Sequence, residues 1–582
     1  MRQALLWPAI AIAISLAIVL AIFGPGIANP HDVSWIQNEA VTTQFGWQQF
    51  RTDPAHIYPM VTNRYSWPLP MPVAIFDTIP IVSLAMKLLS PLLPPQFQYF
   101  GPVFVLGVAL QALIAWACLR EVTPGKSGLA YQVSLVIGAV FFASAPVLIV
   151  RFYYSHLSLS LQWPIVLSLL IYLRSFRQSY WRSIGEYSLL AFLAAGINPY
   201  MMVMATLVYG GFIVKCLLGR TLQWQHYVFL VIPLFSAIAG LVLFGFLPLD
   251  GSGVFKVTGY GLFSTNALSL IDPMSRFLGS AFLPDQALAT PGQYEGFGYL
   301  GAGVMFILAA AAVTAFVHRR GAGGDGRRIY LPLGAVLLVS FALALSHVMT
   351  FGAHLAELPI PGALLEIMQN FRSSGRLIWV VVYVLMFIGI SVLIRQLRPE
   401  RAALVLGLAA MLQVADLAAP LARLHQHFTT RFLVEGIAER FADPAYQGLG
   451  RAHDLLLVVP AWQCRTWRLP KEDYPVTAFM RFSNLAMDNG LATNSFYGGR
   501  TPVNQAFYHC ETFLEKLVAE PAGRRTVYLL TPRAFGLYGA HVAESHACDL
   551  AEGMFICRAD GKGPGLTPRA QQQVPPLRQS PP

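Results

Sequence analysis

FRSSGRLIWVVVYVLMFIGISVLIRQLRPER, residues 371–401, decides the fold of this chain. Between Arg376 and Arg395 lie 18 residues without a charge, nearly all of them apolar. A helix rises about 1.5 Å per residue, so this run crosses most of a hydrocarbon core about 30 Å thick. Its two ends differ. Arg395, Arg398 and Arg401 crowd one end, the mark of a cytoplasmic boundary, while Arg372 and Arg376 stand at the other among Asn, Ser and Gly.

Working outward, apolar runs of similar kind recur at 5–23, 100–120, 129–150, 158–174, 184–197, 200–218, 226–247, 297–317, 329–347 and 402–420, which with 377–395 makes eleven spans. With that count, Arg120 and Lys126, Arg174, Arg177 and Arg182, Lys215 and Arg220, Arg319, Arg320, Arg327 and Arg328, and Arg395, Arg398 and Arg401 all fall on one side. Residues 5–23 read as a retained first helix, with the N-terminus in the cytoplasm, in preference to a cleaved signal. Residues 24–98 form the first external loop. Its apolar stretch 73–93 is interrupted by Asp77, Pro80, Lys87 and Pro91 and reads as an interfacial or re-entrant helix. Counting it as a span would move the Arg174 cluster outside.

Composition agrees. Charged residues are 12% of the chain, about half the ~25% of soluble proteins, and mean hydropathy is +0.54. The net charge of +11 sits in short clusters at span ends, so it marks topology and anionic lipid head groups and not a nucleic acid. The expected class is a polytopic α-helical membrane protein with about eleven transmembrane helices in a bacterial inner membrane. Expected domains are a transmembrane domain, 1–425, a periplasmic α/β domain, 426–559, and a disordered Pro/Gln-rich tail, 560–582. An odd number of spans puts the C-terminal domain outside.

The cysteines support this. Cys118 and Cys216 fall in apolar spans. Cys464, Cys510, Cys548 and Cys557 follow the last span, at spacings that fit no zinc site and suit two disulfides in an oxidising compartment. Three pairings exist; Cys548–Cys557 with Cys464–Cys510 is favoured for its short loop. Strand-like runs at 455–459, 526–530 and 554–557, with helical patterns near 474–489 and 510–519, complete an α/β domain.

Chemistry-bearing residues gather in the external segments. Asn29-Pro30 reads as a helix start, which places Asp32 at the third helical position and Glu39 two turns on. Trp35, Asn38, Trp47 and Arg51 surround Glu39, and aromatic rings with a carboxylate suit a sugar and a general base. Arg151 and His156, at the external join of two spans, suit a phosphate; a plain aromatic belt with a snorkelling Arg is the competing reading. Asn198 and Tyr200 flank Pro199 at an outer helical break, where Asn caps and Pro starts the next helix. Tyr294 and Glu295 lie in PGQYEGFGYLG, residues 291–301. Arg372 and Arg376, four apart, read as one face of a helix start able to hold phosphate, with Arg372 pairing with Glu295 or Glu366 as the competing reading. Asn494–Tyr497 with Arg500 form a further polar and aromatic patch. No Walker loop, dinucleotide fingerprint, zinc motif or nucleophile elbow is present.

In their order along the chain, Glu39 to Gly46-Trp47 and Arg51, Asp77 to Pro80, Phe97 to Phe100, Arg151 to His156, Asn198 to Tyr200, Gly292 to Gly301, and Phe371 to Arg376 resemble the GT-C superfamily of polyprenyl-phosphate-sugar glycosyltransferases. Within it they are similar to an uncharacterised bacterial family of polytopic membrane proteins. The resemblance implies a catalytic carboxylate in the first periplasmic loop, Glu39 with Asp32, and a lipid-linked donor entering from the bilayer. It implies a polyprenyl-phosphate sugar donor, a glycan or lipid-linked acceptor, and no certain cofactor beyond a possible divalent cation, Mg or Mn. Glu39 stands where relatives often have Asp, and Thr43 where they have His. The expected activity is inverting sugar transfer, with Arg372, Arg376, Arg151 and His156 on the donor phosphate and Trp35, Trp47, Arg51, Tyr294, Glu295, Asn198 and Tyr200 on the substrates. The competing class is a non-enzymatic flippase or scaffold for lipid-linked glycans; no internal repeat and no midplane charge favours it.

Overall fold

The computed structural model describes residues 2–36, 39–219, 223–247, 259–318, 324–438, 440–466, 477–498, 502–519, 523, 525–559 and 564–571. The chain forms two units, one of Met1–Trp35, Gln96–Leu241 and Val257–Thr430, the other of Ile36–Pro95, Val242–Lys256 and Arg431–Pro582.

The first unit is helical. Among the described residues, eight helices are long and apolar enough to cross a membrane: Leu5–Phe23, Phe100–Glu121, Leu129–Tyr153, Pro199–Gly219, Trp224–Leu243, Arg328–Leu345, Ser374–Gln396 and Pro399–Thr430. The chain is a multi-pass membrane protein. Ser158–Arg174 and Ala302–Val317 are apolar but shorter, and Tyr180–Ile197 carries Arg182 and Glu186 in its first turns. Helices therefore stand at all eleven expected positions, eight of them meeting the length and hydropathy of a span.

Ser374–Gln396 is the centre of this unit, with 89% of its apolar window buried against 28% for Leu5–Phe23. Its polar atoms are matched inside the bundle: Tyr383 Oη donates to Gln162 Oε1 at 2.6 Å and accepts from Gln111 Nε2 at 2.8 Å. Asp416, fully buried, accepts from Ala302 N and Tyr299 Oη and so caps the helix Ala302–Val317. Asn198 and Pro199 act as expected. Asn198 Oδ1 accepts from Tyr200 N at the start of Pro199–Gly219, and its Nδ2 donates to Ser158 Oγ.

The second unit is mixed α/β. A six-stranded sheet runs in the order Gly565–Leu566, Ala547–Ala551, Met554–Arg558, Thr526–Leu530, Leu455–Val459, Ala492–Thr493. Leu455–Val459 is parallel to both its neighbours, and Met554–Arg558 is antiparallel to both of its own. Side chains alternate along these strands. Leu456, Val458, Val527, Leu529 and Ile556 face one core, shared with Phe45, Tyr65, Met71 and Phe76 of residues 36–95. Leu457, Val459, Tyr528 and Leu530 face another, with Phe513, Phe535 and Phe555. Cys464–Cys510 and Cys548–Cys557 are the disulfides, the latter joining residues directly opposite on neighbouring strands. Cys118 and Cys216 are buried free thiols.

Three local expectations are corrected. Asn29–Asp32 is a turn and starts no helix: Asn29 Oδ1 accepts from His31 N, and Asp32 Oδ1 accepts from Ser34 N and Oγ. The Asn and Asp side chains supply the local acceptors that a helix start would have spent on later amides. Residues 73–93 form no single helix but a turn Val73–Phe76, a helix Pro80–Leu88 and a turn Ser90–Leu92. Lys87 is drawn inward, donating to the carbonyls of Phe50, Asp53 and His56. Of the tail, residues 564–571 are ordered: Gly565–Leu566 pairs with Ala547–Cys548, and a short helix Pro568–Gln571 follows. Residues 560–563 and 572–582 lie outside the described residues.

Candidate functional site

Glu39 opens the helix Glu39–Thr52 in the second unit and is half-buried. A carboxylate suits a helix N-terminus, where free amides and the dipole favour negative charge. Tyr497 Oη donates to Glu39 Oε1 at 2.7 Å. The Tyr497 ring stacks on Phe479 at 4.5 Å and meets Trp462 edge-on at 5.2 Å. Trp462 is fixed through its backbone N–H, which donates to Ser495 Oγ. A hydrogen-bonded carboxylate beside partly exposed Tyr and Trp rings can accept a proton and can hold an apolar sugar face.

The other expected residues of this region have structural partners. Trp47 is fully buried in the helix that carries Glu39, and Trp35, 5% exposed, stacks on Phe152 in the first unit. Both rings belong to the cores, because their area is worth most where it leaves water. Arg51 is not turned to a substrate: its guanidinium donates to Ser90 Oγ and to the carbonyls of Leu93 and Pro94, closing the chain that returns from Pro80–Leu88. Asp32 holds the turn described above. Asn494 and Ser495 are buried and bond the neighbouring strand and turn, Asn494 pairing with Val458 N and O. Asn38 and Arg500 lie outside the described residues.

In the first unit the arginines do not form one anion site. Arg376 sits in the turn Ser374–Leu377 and makes a two-pronged pair with Glu295, Nε to Oε2 at 2.9 Å and Nη2 to Oε1 at 2.8 Å. Arg151, 3% exposed, donates to Glu295 Oε2 and to the Glu295 carbonyl, each at 2.8 Å. The guanidinium of Arg151 lies over Trp379 and that of Arg376 over Tyr200, whose hydroxyl accepts from Ser373 N. Burial alone would raise the Glu295 carboxyl, but Arg376 and Arg151 outweigh it and hold it well below the usual carboxylate range. His156 accepts from Arg151 Nη1 at its Nδ1, 3.2 Å away. Burial, then Arg151, push its pKa down to about 3, so it is neutral at pH 7 and brings no charge to a phosphate.

Glycine makes this cluster possible. A Cβ on Gly375 would lie 2.8 Å from Gly296 Cα, and one on Gly296 would lie 2.5 Å from Thr265 Cα. The turns carrying Glu295 and Arg376 approach through these two glycines. The Tyr294 ring stacks on Phe277.

Arg372 departs from the expected helix face. It precedes the turn, and its guanidinium lies over Phe263 at 4.3 Å. Its Nε is buried with no hydrogen-bond partner among the described residues. The pairing with Glu295 weighed for Arg372 belongs to Arg376, and Arg372 is left with donor capacity. Among the described residues no three His, Cys, Asp or Glu side chains gather as a metal site, so no step through a divalent cation is derived.

Sequence reasoning singled out Glu39, Glu295 and the arginines but missed Phe479 and Trp462, which look like ordinary apolar positions until Tyr497 is seen beside them.

Residues 12–418 match the family described as "Domain of unknown function (DUF6311)", and residues 445–559 match "DUF6311 C-terminal domain". No curated protein matches the chain. With both matches in order, covering most of its length, the chain belongs to the DUF6311 family.

Proposed function

We propose that this protein is a GT-C-like membrane glycosyltransferase with eleven spans, moving a sugar from a polyprenyl-phosphate donor to a hydroxyl of an extracytoplasmic glycan or lipid-linked acceptor. The observation that carries the reading is Glu39, hydrogen-bonded by Tyr497 within an aromatic nest of Phe479 and Trp462. In this scheme Glu39 takes the proton of the acceptor hydroxyl as its oxygen bonds to the anomeric carbon. The bond from that carbon to the donor phosphate breaks, and polyprenyl phosphate leaves with the bonding electrons, inverting the centre. Tyr497 holds the carboxylate in place through its hydrogen bond to Glu39 Oε1. Trp462 and Tyr497 offer ring faces to the sugar. Within the first unit, Arg372 is the arginine with donor capacity for a lipid phosphate, because Arg151 and Arg376 already share the Glu295 carboxylate.

The test is transfer by the full chain in vesicles, given radiolabelled polyprenyl-phosphate sugars and envelope glycan as acceptor. General-base removal costs about 10²–10⁴-fold. Glu39→Gln is expected to lose transfer by at least about 10²-fold while donor binding is kept. Tyr497→Phe loses one charge-assisted hydrogen bond, about 1.5–3 kcal/mol at most, and is expected to slow transfer about tenfold or more. Unchanged transfer by Glu39→Gln removes it as the base.

A further inference from the structure

Between the spans Arg328–Leu345 and Ser374–Gln396, the chain makes a hairpin, Val348–Phe351 with His354–Glu357, and a helix, Gly362–Gln369. This segment has the composition of a core and the exposure of a surface. Its 22 residues, 348–369, hold three ionisable side chains, His354, Glu357 and Glu366. The helix buries none of its residues, and the strand His354–Glu357 is exposed throughout. Phe351 is 62% exposed and Ile367 66%, with Leu355, Leu358 and Leu364 about half exposed beside them. Left in water, such a patch is a liability.

Its location identifies what covers it. Two residues, Ser346 and His347, separate the hairpin from the end of one span, and four, Asn370–Ser373, separate the helix from the next. Both ends are thus tied to the same face of the bilayer. The segment continues a surface already lipid-facing, since Leu338 is 74% and Val339 50% exposed on the preceding span. It does not enter the hydrocarbon centre. Among the described residues no strand pairs with the outer edge of His354–Glu357, and backbone groups on such an edge need water or head groups. An element apolar in side chain but open in backbone belongs at the boundary of acyl chains and head groups.

We propose that residues 348–369 form an apron seated in the outer interfacial layer of the bilayer, with Phe351, Leu355, Leu358, Leu364 and Ile367 on lipid acyl chains. The apron ends three residues before Arg372, and Tyr260 Oη touches Met368 Sδ at its inner end. This inference does not rest on sugar transfer and stands if that reading fails.

The test is collision of nitroxide labels with oxygen, enriched in lipid, and with a nickel chelate, confined to water. The full chain, reconstituted in phosphatidylethanolamine–phosphatidylglycerol vesicles, carries one label at a time, by Phe351→Cys, Leu355→Cys or Ile367→Cys. Leu338→Cys serves as the lipid reference and Arg525→Cys as the water reference. The three apron labels are expected to favour oxygen over nickel at least about fivefold more than the Arg525 label does. Labels that respond like Arg525, or that neither reagent reaches because protein covers them, overturn the proposal. The replaced side chains are exposed, so labelling disturbs no packing, and three separate sites keep the test decisive if one variant fails to fold.

Discussion

The Glu295 carboxylate accepts three hydrogen bonds, one from buried Arg151 and two from partly buried Arg376. Breaking a buried pair by removing one partner costs about 3–5 kcal/mol, because the remaining charge is left unmatched. Glu295→Gln is therefore expected to lower the melting temperature in detergent sharply and to reduce folded yield; a variant that melts like the parent would contradict the network. Because the folded carboxyl titrates far below an ordinary one, its contribution is complete at neutral pH. It declines only as pH falls below about 4, where the unfolded carboxyl takes up its proton. His509 gives the second unit an earlier acid limit. It is fully buried, with its Nε2–H placed to donate to Ser66 Oγ, which donates in turn to Gln505 Oε1. Burial lowers its pKa from 6.5 to about 4. The unfolded imidazole gains a proton first as pH falls through 6.5, so stability present above that value is lost below it, by about 2 kcal/mol at pH 5. Melting of the second unit is expected to fall between pH 7 and 5, and His509→Gln to flatten that slope. At this scale the sequence told which residues carry chemistry but not who pairs with whom. Arg372 and Arg376 look equivalent four residues apart, and only the close approach of Gly296 to Gly375 gives Glu295 to one of them.

Elements whose pattern is local were legible. The strands Leu455–Val459 and Thr526–Leu530 follow directly from their β-branched and aliphatic runs. The strand Ala547–Ala551 and the helix Pro532–Ala543 were not seen, because their own sequences carry weaker periodicity and owe their form to the sheet between them. The favoured disulfide pairing agrees with the structure, and loop length ranks the two bonds. Cys464–Cys510 closes 46 residues and Cys548–Cys557 closes 9. Chain entropy gives about 4 kcal/mol for the first and about 2.6 kcal/mol for the second. Cys464→Ser with Cys510→Ser is expected to lower the second unit's melting temperature more than Cys548→Ser with Cys557→Ser. The reverse order would show that native packing, not the unfolded chain, sets their value.

For the whole molecule, the charge pattern was the strongest guide. A single side for every Arg/Lys cluster required helices at eleven positions, and helices are found at each. What lay beyond sequence is the company kept by residues 36–95. Tyr497 and Glu39 are 458 residues apart, and Phe45 and Phe76 share a core with the distant sheet. No periodicity announces such contacts. The topology is expected to put alkaline phosphatase fused after residue 559 in its active, extracytoplasmic form and the same fusion after Arg401 in its inactive form; the opposite result would invert the charge reading. The central claim, a polyprenyl-phosphate sugar donor, is tested most directly by native mass spectrometry of the full chain purified with its own lipids. The account predicts a bound polyprenyl phosphate on the parent protein, retained by Glu39→Gln and weakened at least about tenfold by Arg372→Ala. A parent protein that carries no polyprenyl phosphate, and takes up none when it is supplied in excess, would contradict it.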